Sequence, residues 1–113
     1  MSVVSTENAE HYFWGDASEG WHLLKSDALS VIEGRVPPGD SEARHYHQVA
    51  QQFFYVLAGE ATLEVAGEVH NLSPGQGLAI PATVPHQLSN LGTDVLRFLV
   101  VSQPMSHGDR IGA

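Results

Sequence analysis

Turn-forming residues interrupt this sequence about every 6 to 12 residues, a spacing expected of short β-strands. Between the turns, apolar and polar residues alternate, and β-branched and aromatic residues are frequent. No longer stretch keeps the period of an amphipathic helix. Many short strands within one small domain predict an all-β fold, either a sandwich or a closed barrel.

The alternation predicts strands at residues 29–36, 52–58, 61–66, 68–71, 77–81, 86–91 and 95–102. Gly, Pro, Asn and Asp mark the turns between them. Because side chains alternate between the two faces of a strand, the inward positions predict the core. We expect Phe54, Val56, Leu63, Ile80 and Leu88 to be buried.

Composition excludes several classes of protein. At 113 residues the chain is long enough for one domain with its own core. Its net charge of −8 repels a phosphate backbone, so we expect no nucleic-acid partner. No apolar run approaches the roughly 20 residues of a membrane helix, and the first residues lack a secretory pattern. We therefore expect a cytoplasmic protein, and the absence of cysteine rules out disulfide and thiolate chemistry.

The pair His45 and His47 is the first chemical signal. In an extended segment, residues two apart project from the same face, so both imidazoles can converge on one point. A chelating pair of this kind suits Zn, Ni, Mn, Fe or Cu. The alternative is that these are two surface histidines beside a turn.

The spacing around this pair resembles the first motif of the cupin superfamily. That motif runs from Gly through five residues to His-x-His, then through three or four residues to Glu and six more to Gly. In this sequence Gly39 is followed by five residues and then by His45 and His47. Four residues then precede Gln52, and six more precede Gly59.

A later stretch resembles the second cupin motif, which runs Gly, five residues, Pro-x-Gly, two residues, His, three residues, Asn. The corresponding residues here are Gly75, Pro81, Thr83, His86 and Asn90. The resemblance covers about residues 28 to 102 and implies a single-domain cupin, a double-stranded β-helix or jelly-roll barrel. The barrel would occupy residues 28–104, with residues 1–27 packing on it and residues 105–113 forming a tail.

The resemblance also implies a metal site. The family's ligand positions fall on His45, His47, Gln52 and His86, which would hold one divalent ion per chain, either Zn, Ni, Mn or Fe. Two of the motif positions differ from the family: Thr83 replaces Gly in a turn, and Gln52 replaces the carboxylate ligand. An amide oxygen can ligate a metal but is neutral and cannot act as a general base.

With neutral ligands only, the site would keep the whole +2 charge of its ion. Such a centre should bind an anionic ligand or polarise a carbonyl as a Lewis acid. The alternative is that the replacement of the carboxylate by Gln52 has impaired the site, which would then bind metal weakly or not at all.

The strand that begins at Gln52 is apolar on both faces. Phe53, Tyr55 and Leu57 lie opposite the metal-facing side and need cover. That cover could be the aromatic N-terminal segment, which includes residues 12–14 and 21, or a second subunit. The family resemblance favours a homodimer.

The roles of several residues outside the motifs can be interpreted in two ways. Trp14, Trp21 and His22 could form a lid over the barrel mouth, although residues of this kind more often fill the core. Arg97 could hold a substrate carboxylate if it faces inward, but an outward or interface position is favoured. The other histidines, at positions 11, 70 and 107, are expected at the surface, and the polar tail could be a loop or an interface strap.

The motifs leave the reaction open, because cupins include isomerases, lyases, dioxygenases and binding proteins. The His-His-Gln-His pattern is similar to that of cupins that process unsaturated sugar acids, which favours a metal-assisted isomerase or lyase. Its substrate would be a small carboxylated or sugar-like molecule bound inside the barrel. One alternative is a non-haem metal dioxygenase. Another is a non-catalytic metal-binding or ligand-binding module, since the sequence identifies no titratable acid or base in the site.

Overall fold

The computed structural model describes residues 2–106 and 108–113, and these residues form strands and turns without any helix. The strands are β1 (Glu10–Trp14), β2 (Ser18–Lys25), β3 (Ser30–Val36), β4 (His45–His47), β5 (Gln51–Ala58), β6 (Ala61–Val65), β7 (Glu68–Leu72), β8 (Gly77–Ile80), β9 (His86–Ser89), β10 (Leu96–Gln103) and β11 (Arg110–Gly112). Within the described ranges, no helix has the length and hydrophobicity needed to cross a bilayer.

The strands form two antiparallel sheets that enclose one core. The six-stranded sheet has the order β1-β2-β3-β10-β5-β8, and the five-stranded sheet has the order β11-β4-β9-β6-β7. In β3 and β10 every second residue is buried, as expected when one face of a sheet covers a core. The result is an all-β jelly roll, which confirms the predicted fold class.

The predicted strands and core are confirmed. Each strand expected between residues 29 and 102 is present within two residues of its predicted bounds. The five residues expected in the core, Phe54, Val56, Leu63, Ile80 and Leu88, are all buried. The alternation of side chains was therefore sufficient to assign the inner face of these strands.

The N-terminal segment extends the sheet instead of covering it. Strands β1 and β2, which the alternation did not predict, pair with each other and continue the six-stranded sheet beyond β3. They lie at the far side of that sheet from β5. Phe53, Tyr55 and Leu57 consequently remain exposed, by 42%, 36% and 42%. The expectation that N-terminal aromatic residues could cover these three residues is wrong.

We propose that a second copy of this chain covers the exposed face of β5. Leu99 and Val101 of β10 lie beside Tyr55 and Phe53 in the ladder, so the apolar surface spans two strands. Light scattering at micromolar concentration should then give about twice the 12.2 kDa of one chain. Phe53→Glu should return the mass to that of a monomer.

The control for the dimer places the same charge on an exposed apolar residue elsewhere. Leu91 lies in the turn before β10 and is 73% exposed, so Leu91→Glu should leave the dimer intact. A wild-type mass near 12.2 kDa would contradict the proposal.

A buried carboxylate connects the β1–β2 turn to the loop that carries the first motif. Asp40 accepts hydrogen bonds from the backbone N–H groups of Asp16, Ala17 and Ser41, at 3.3, 3.2 and 2.9 Å. It also accepts one from the Ser18 hydroxyl at 2.5 Å. The Ser18 bond, followed by the backbone bonds, holds the pKa of Asp40 down at about 2 although burial opposes the shift.

We expect Asp40→Asn to lower the free energy of unfolding by about 2 kcal/mol. The amide nitrogen of Asn would place its own N–H donors against the buried N–H and O–H groups that donate to the carboxylate of Asp40. The folded-state pKa lies below the usual 3.8, so the charged form stabilises the fold above pH 4. That contribution is lost as the pH falls through about 2. Urea denaturation of both proteins should therefore show a difference that is constant from pH 7 to 5 and shrinks below pH 4. A difference unchanged at pH 2.5 would contradict this account.

The C-terminal tail is ordered by contacts with the metal-motif segment. Strand β11 pairs with β4, with Arg110 opposite His47 and Gly112 opposite His45. The carboxylate of Asp109 accepts backbone N–H groups of residues 48–50 at distances from 2.9 to 3.3 Å. Residues 110–112 of the tail thus form an edge strand next to the two motif histidines.

Candidate metal centre

Two short strands position the three motif histidines. His45 and His47 are the two ends of β4, and their side chains point to the same buried face. His86 begins β9, which pairs with β4 through the single register pair His45 and His86. Cross-strand partners project from the same face, so this pairing brings the second motif against the first.

The three imidazoles form one buried cluster. Their potential ligand nitrogens all lie within 4.8 Å of one another. The ring centroids are 4.5 Å apart for His45 and His86, 5.0 Å for His45 and His47, and 6.0 Å for His47 and His86. All three side chains are buried, with His86 only 1% exposed. A divalent ion bound by imidazole nitrogen needs this convergence.

Backbone carbonyls select the tautomer of two of these rings. Nδ1 of His45 lies 2.8 Å from the Ala43 carbonyl oxygen, and Nδ1 of His86 lies 3.0 Å from that of Val84. Each Nδ1 must therefore donate its hydrogen, which leaves Nε2 with a free lone pair. Among the described residues, Nε2 of His86 and both ring nitrogens of His47 have no hydrogen-bond partner.

Gln52 lies on the other sheet and lines the same cavity as His45 and His47. It lies near the start of β5, and its amide Nε2 donates to the Ser102 hydroxyl of β10 at 3.0 Å. Its Oε1 is buried and has no hydrogen-bond partner in the described part of the chain. Orphaned buried acceptors are costly. An unpartnered amide oxygen that lines the same cavity as His45 and His47 is a group that a divalent ion would satisfy.

Burial keeps the histidines neutral. Desolvation lowers the pKa of His45 to about 4, with smaller contributions from the charges of Arg110 and the neighbouring histidines. The pKa values of His47 and His86 are also lowered, in both cases mainly by burial. At neutral pH the rings therefore carry lone pairs and not charges, as metal ligands require.

The cluster opens into a cavity of about 450 Å³ that His45, His47 and Gln52 help to line. The apolar members of its lining all lie on the six-stranded sheet, and they are Tyr12, Trp14, Ile32, Phe54, Phe98 and Val100. Gln52 lies on the same sheet, whereas His45, His47 and Arg110 belong to the five-stranded sheet. Glu42 lies in the loop before β4. A ligand inside would meet imidazoles from one sheet and aromatic rings from the other.

Glu42 is a site residue that the sequence analysis missed. It lines the cavity, and its Oε1 lies 3.9 Å from Nδ1 of His45. Burial raises the pKa of this carboxyl to about 7, although the N–H of Leu88 donates to it at 2.9 Å and opposes the shift. The only signal in the sequence is an acidic residue three positions before His45, inside the motif's variable stretch.

Thr83, the other departure from the cupin motif, adopts the backbone of the glycine it replaces. Its φ is 71°, in the left-handed region that β-branched residues rarely occupy. Its N–H donates to the His47 carbonyl oxygen at 2.6 Å. The turn before His86 is thereby tied to the strand that carries the other two histidines.

The remaining candidate residues are distributed around the barrel. Trp14 lines the cavity and donates its Nε1–H to the Glu19 carbonyl at 3.1 Å, whereas His22 is buried on the inner face of β2. Trp21 is half-buried on the opposite face of β2, and Arg97 faces outward in an ion pair with Glu33. His11 is exposed and His70 is half-buried, and neither belongs to the cluster. Position 107 lies outside the described residues.

Comparison with known proteins places this architecture in a family. The cupin domain family matches residues 32–102, which include all three histidines and Gln52. The chain belongs to the cupin family. Its relatives include the uncharacterised protein MJ1618 of Methanocaldococcus jannaschii, with 29% identity over 96% of this chain and 94% of that protein.

Two other likenesses are partial or distant. Quercetin 2,3-dioxygenase of Bacillus subtilis is 36% identical over 63% of this chain, and the match spans 25% of the dioxygenase. The polyketide cyclase RemF of Streptomyces resistomycificus superimposes with a TM-score of 0.86 over 100% of this chain and 85% of RemF. At 22% sequence identity, the likeness to RemF shows the fold alone.

Proposed function

We propose that this cupin is a metal-dependent isomerase or lyase that acts on a small carboxylated or sugar-like molecule. The observation that carries the proposal is the buried cluster of His45, His47 and His86, whose ligand nitrogens lie within 4.8 Å of one another at the edge of a cavity. These histidines and the Oε1 of Gln52 would hold one divalent ion, either Zn, Ni, Mn or Fe.

The bound ion would supply Lewis-acid polarisation of a substrate oxygen. The chain's own residues would supply the rest of the chemistry. The Nδ1 bonds of His45 and His86 to backbone carbonyls hold these rings in one orientation. The aromatic residues that line the cavity would shield the reacting atoms from part of the solvent.

Glu42 is the candidate for proton transfer in this proposal. Its carboxyl lies on the cavity wall beside the imidazoles, where it can take a proton from one substrate atom and return it to another. Isomerisation and elimination both need such a group when a metal polarises an adjacent carbonyl. An acid–base residue in the cavity wall supports an enzyme over a non-catalytic module.

The first experiment measures bound metal in the purified protein by elemental analysis and then loads the apoprotein with Zn²⁺ or Mn²⁺. A panel of 2-oxo acids and uronic acids is incubated anaerobically in D₂O, and ¹H NMR follows the exchange of protons next to the carbonyl. We expect exchange with either ion, reduced about 100-fold or more in Glu42→Gln. Zn²⁺ affinity should be unchanged in that variant, because the amide oxygen can still accept the Leu88 N–H. Ligand-induced stabilisation without any exchange or turnover would favour a binding module.

A metal-dependent dioxygenase is the second candidate. Two observations favour it: three clustered histidines, two of which line the cavity, and the 36% identity to part of a quercetin dioxygenase. An oxygen electrode separates the two proposals. Consumption of O₂ with flavonols or diketones by the Fe(II)-loaded or Ni(II)-loaded protein, with no activity for the Zn²⁺ form, would favour the dioxygenase.

A further inference from the structure

The walls of the cavity come partly from segments outside the family's common core. The cupin domain matches residues 32–102, whereas Tyr12 and Trp14 belong to β1 and Arg110 belongs to β11. All three line the same cavity as His45 and His47. The common core therefore supplies the candidate ligands, and the added edge strands supply much of what a bound molecule would touch.

Arg110 is held where an anion beside the histidines would meet it. It is the register partner of His47, so its side chain projects from the same face of the sheet. The Asp109 carboxylate fixes the start of β11 through the N–H groups of residues 48–50. Nη2 of Arg110 donates to the Ala43 carbonyl at 3.0 Å, which leaves other guanidinium N–H groups free to bind a ligand.

Arg110 is also the only Lys or Arg among the described residues that line the cavity. In a chain with a net charge of −8, this one cation marks where an anionic group would be bound. The planar guanidinium can bind a carboxylate through two parallel N–H···O hydrogen bonds.

The opposite wall is suited to an apolar body. Tyr12, Trp14, Phe54 and Phe98 present rings to the cavity, and a Cβ at Gly34 would lie 2.4 Å from the Phe98 ring. The position of that ring thus depends on a glycine. The hydroxyl groups of a polyhydroxylated ligand would lose hydrogen bonds against this wall, whereas a flat aromatic body would bury apolar surface.

We propose, building on the metal site proposed above, that the cavity binds an aromatic carboxylate, with its ring on the β1 side, its carboxylate on Arg110 and a second oxygen towards the histidines. The edge strands β1 and β11 would then determine the substrate class. The proposed substrate class, a small carboxylated or sugar-like molecule, is thereby narrowed to aromatic molecules that carry a carboxylate.

Isothermal titration calorimetry of the Zn²⁺-loaded protein tests this with benzoylformate, its methyl ester, gluconate and phenyl phosphate. We expect benzoylformate to bind most tightly, and Arg110→Gln to weaken its binding about tenfold. The methyl ester has no carboxylate for Arg110 to bind, so Arg110→Gln should change the affinity for the ester less than about twofold. Arg35→Gln is the matched control, because Arg35 pairs with Glu19 outside the cavity and should leave both affinities unchanged.

A separate variant tests the contact with the aromatic ring. Trp14→Leu should weaken the binding of benzoylformate but not that of gluconate. Thermal unfolding of every variant shows whether it remains folded. Arg110→Lys should recover part of the loss, since it restores the charge without the planar fork. Equal losses for acid and ester in Arg110→Gln would overturn the role of Arg110. Binding of gluconate or phenyl phosphate as tight as that of benzoylformate, or no binding of benzoylformate, would overturn the ligand class.

Failure of the metal proposal would be recognised separately. Titration of the apoprotein with Zn²⁺ alone tests the metal site without any organic ligand. If Zn²⁺ does not bind, the proposed function is wrong. The comparison of acid with ester in wild type and Arg110→Gln can then still be made on the apoprotein, with the same expected difference.

Discussion

Replacing His45 and His47 together by alanine should abolish high-affinity binding of divalent metal while the barrel still unfolds cooperatively. These residues supply two of the three clustered imidazoles, and His86 with Gln52 would be left as an incomplete ligand set. We expect the Zn²⁺ affinity to fall at least about 1000-fold. Calorimetric titration of the apoprotein measures this directly.

The stability of the double variant separates a functional ion from a structural one. The hydrophobic core is formed by residues of both sheets that do not depend on the ion, so the apo fold should persist. Zn²⁺ at 100 times its dissociation constant should stabilise wild type by about 2.7 kcal/mol and leave the double variant unaffected. His47 is buried with both ring nitrogens lacking a partner in the described residues, so losing this ring also removes a desolvation cost.

Replacing His11 and His70 by alanine is the matched control, because neither residue belongs to the cluster. That pair of substitutions should change neither metal affinity nor the metal-dependent stability. Loss of cooperative unfolding in the double variant of His45 and His47 would show that the ion holds the fold together, and the enzyme proposal would weaken. Retention of tight Zn²⁺ binding would remove the metal site from the proposal altogether.

Sequence patterns predicted the parts of this protein that depend on local order. Alternation identified the strands with one buried face, and motif spacing identified the histidines that the structure brings together. The convergence of His45 with His86 follows from one ladder pair between β4 and β9. The motif spacing encodes that pairing, although the residues are far apart along the chain.

Features that depend on tertiary contacts were not predictable. Strand β11 has three residues and exists because β4 offers it an edge, which no local pattern reveals. The β1–β2 hairpin is held by Asp40, whose partners in that hairpin lie more than twenty positions earlier. Glu42 looks like an ordinary acidic loop residue until the fold buries it beside His45.

Gln52→Glu is expected to tighten divalent metal binding about 100-fold, because a carboxylate adds a negative charge next to the ion. The prediction rests on the orientation of the Gln52 amide. Nε2 donates to Ser102 at 3.0 Å, and Oε1 has no partner among the residues described. The free oxygen is thus the atom that would reach the ion, at about 2.0–2.5 Å.

The same substitution should have the opposite effect on anionic ligands. It lowers the net charge of a loaded site from +2 to +1, so the Zn²⁺-loaded variant should bind benzoylformate more weakly than wild type. The affinity for uncharged methyl benzoylformate should change less. Opposite changes in metal and anion affinity would separate this electrostatic effect from a general loss of folding, which would weaken both.

Ser102→Ala provides the test of the amide's orientation. It removes the hydroxyl that accepts the Nε2 hydrogen and leaves every candidate ligand in place, so metal affinity should fall about tenfold, as for other residues that orient a ligand. Ser18→Ala is the control, since Ser18 is a buried serine whose hydroxyl instead donates to Asp40. Calorimetric titration with Zn²⁺ and Mn²⁺ measures all three variants. If Gln52→Glu and Ser102→Ala both left metal affinity unchanged, the amide would not be a ligand, and the three histidines alone would have to hold the ion.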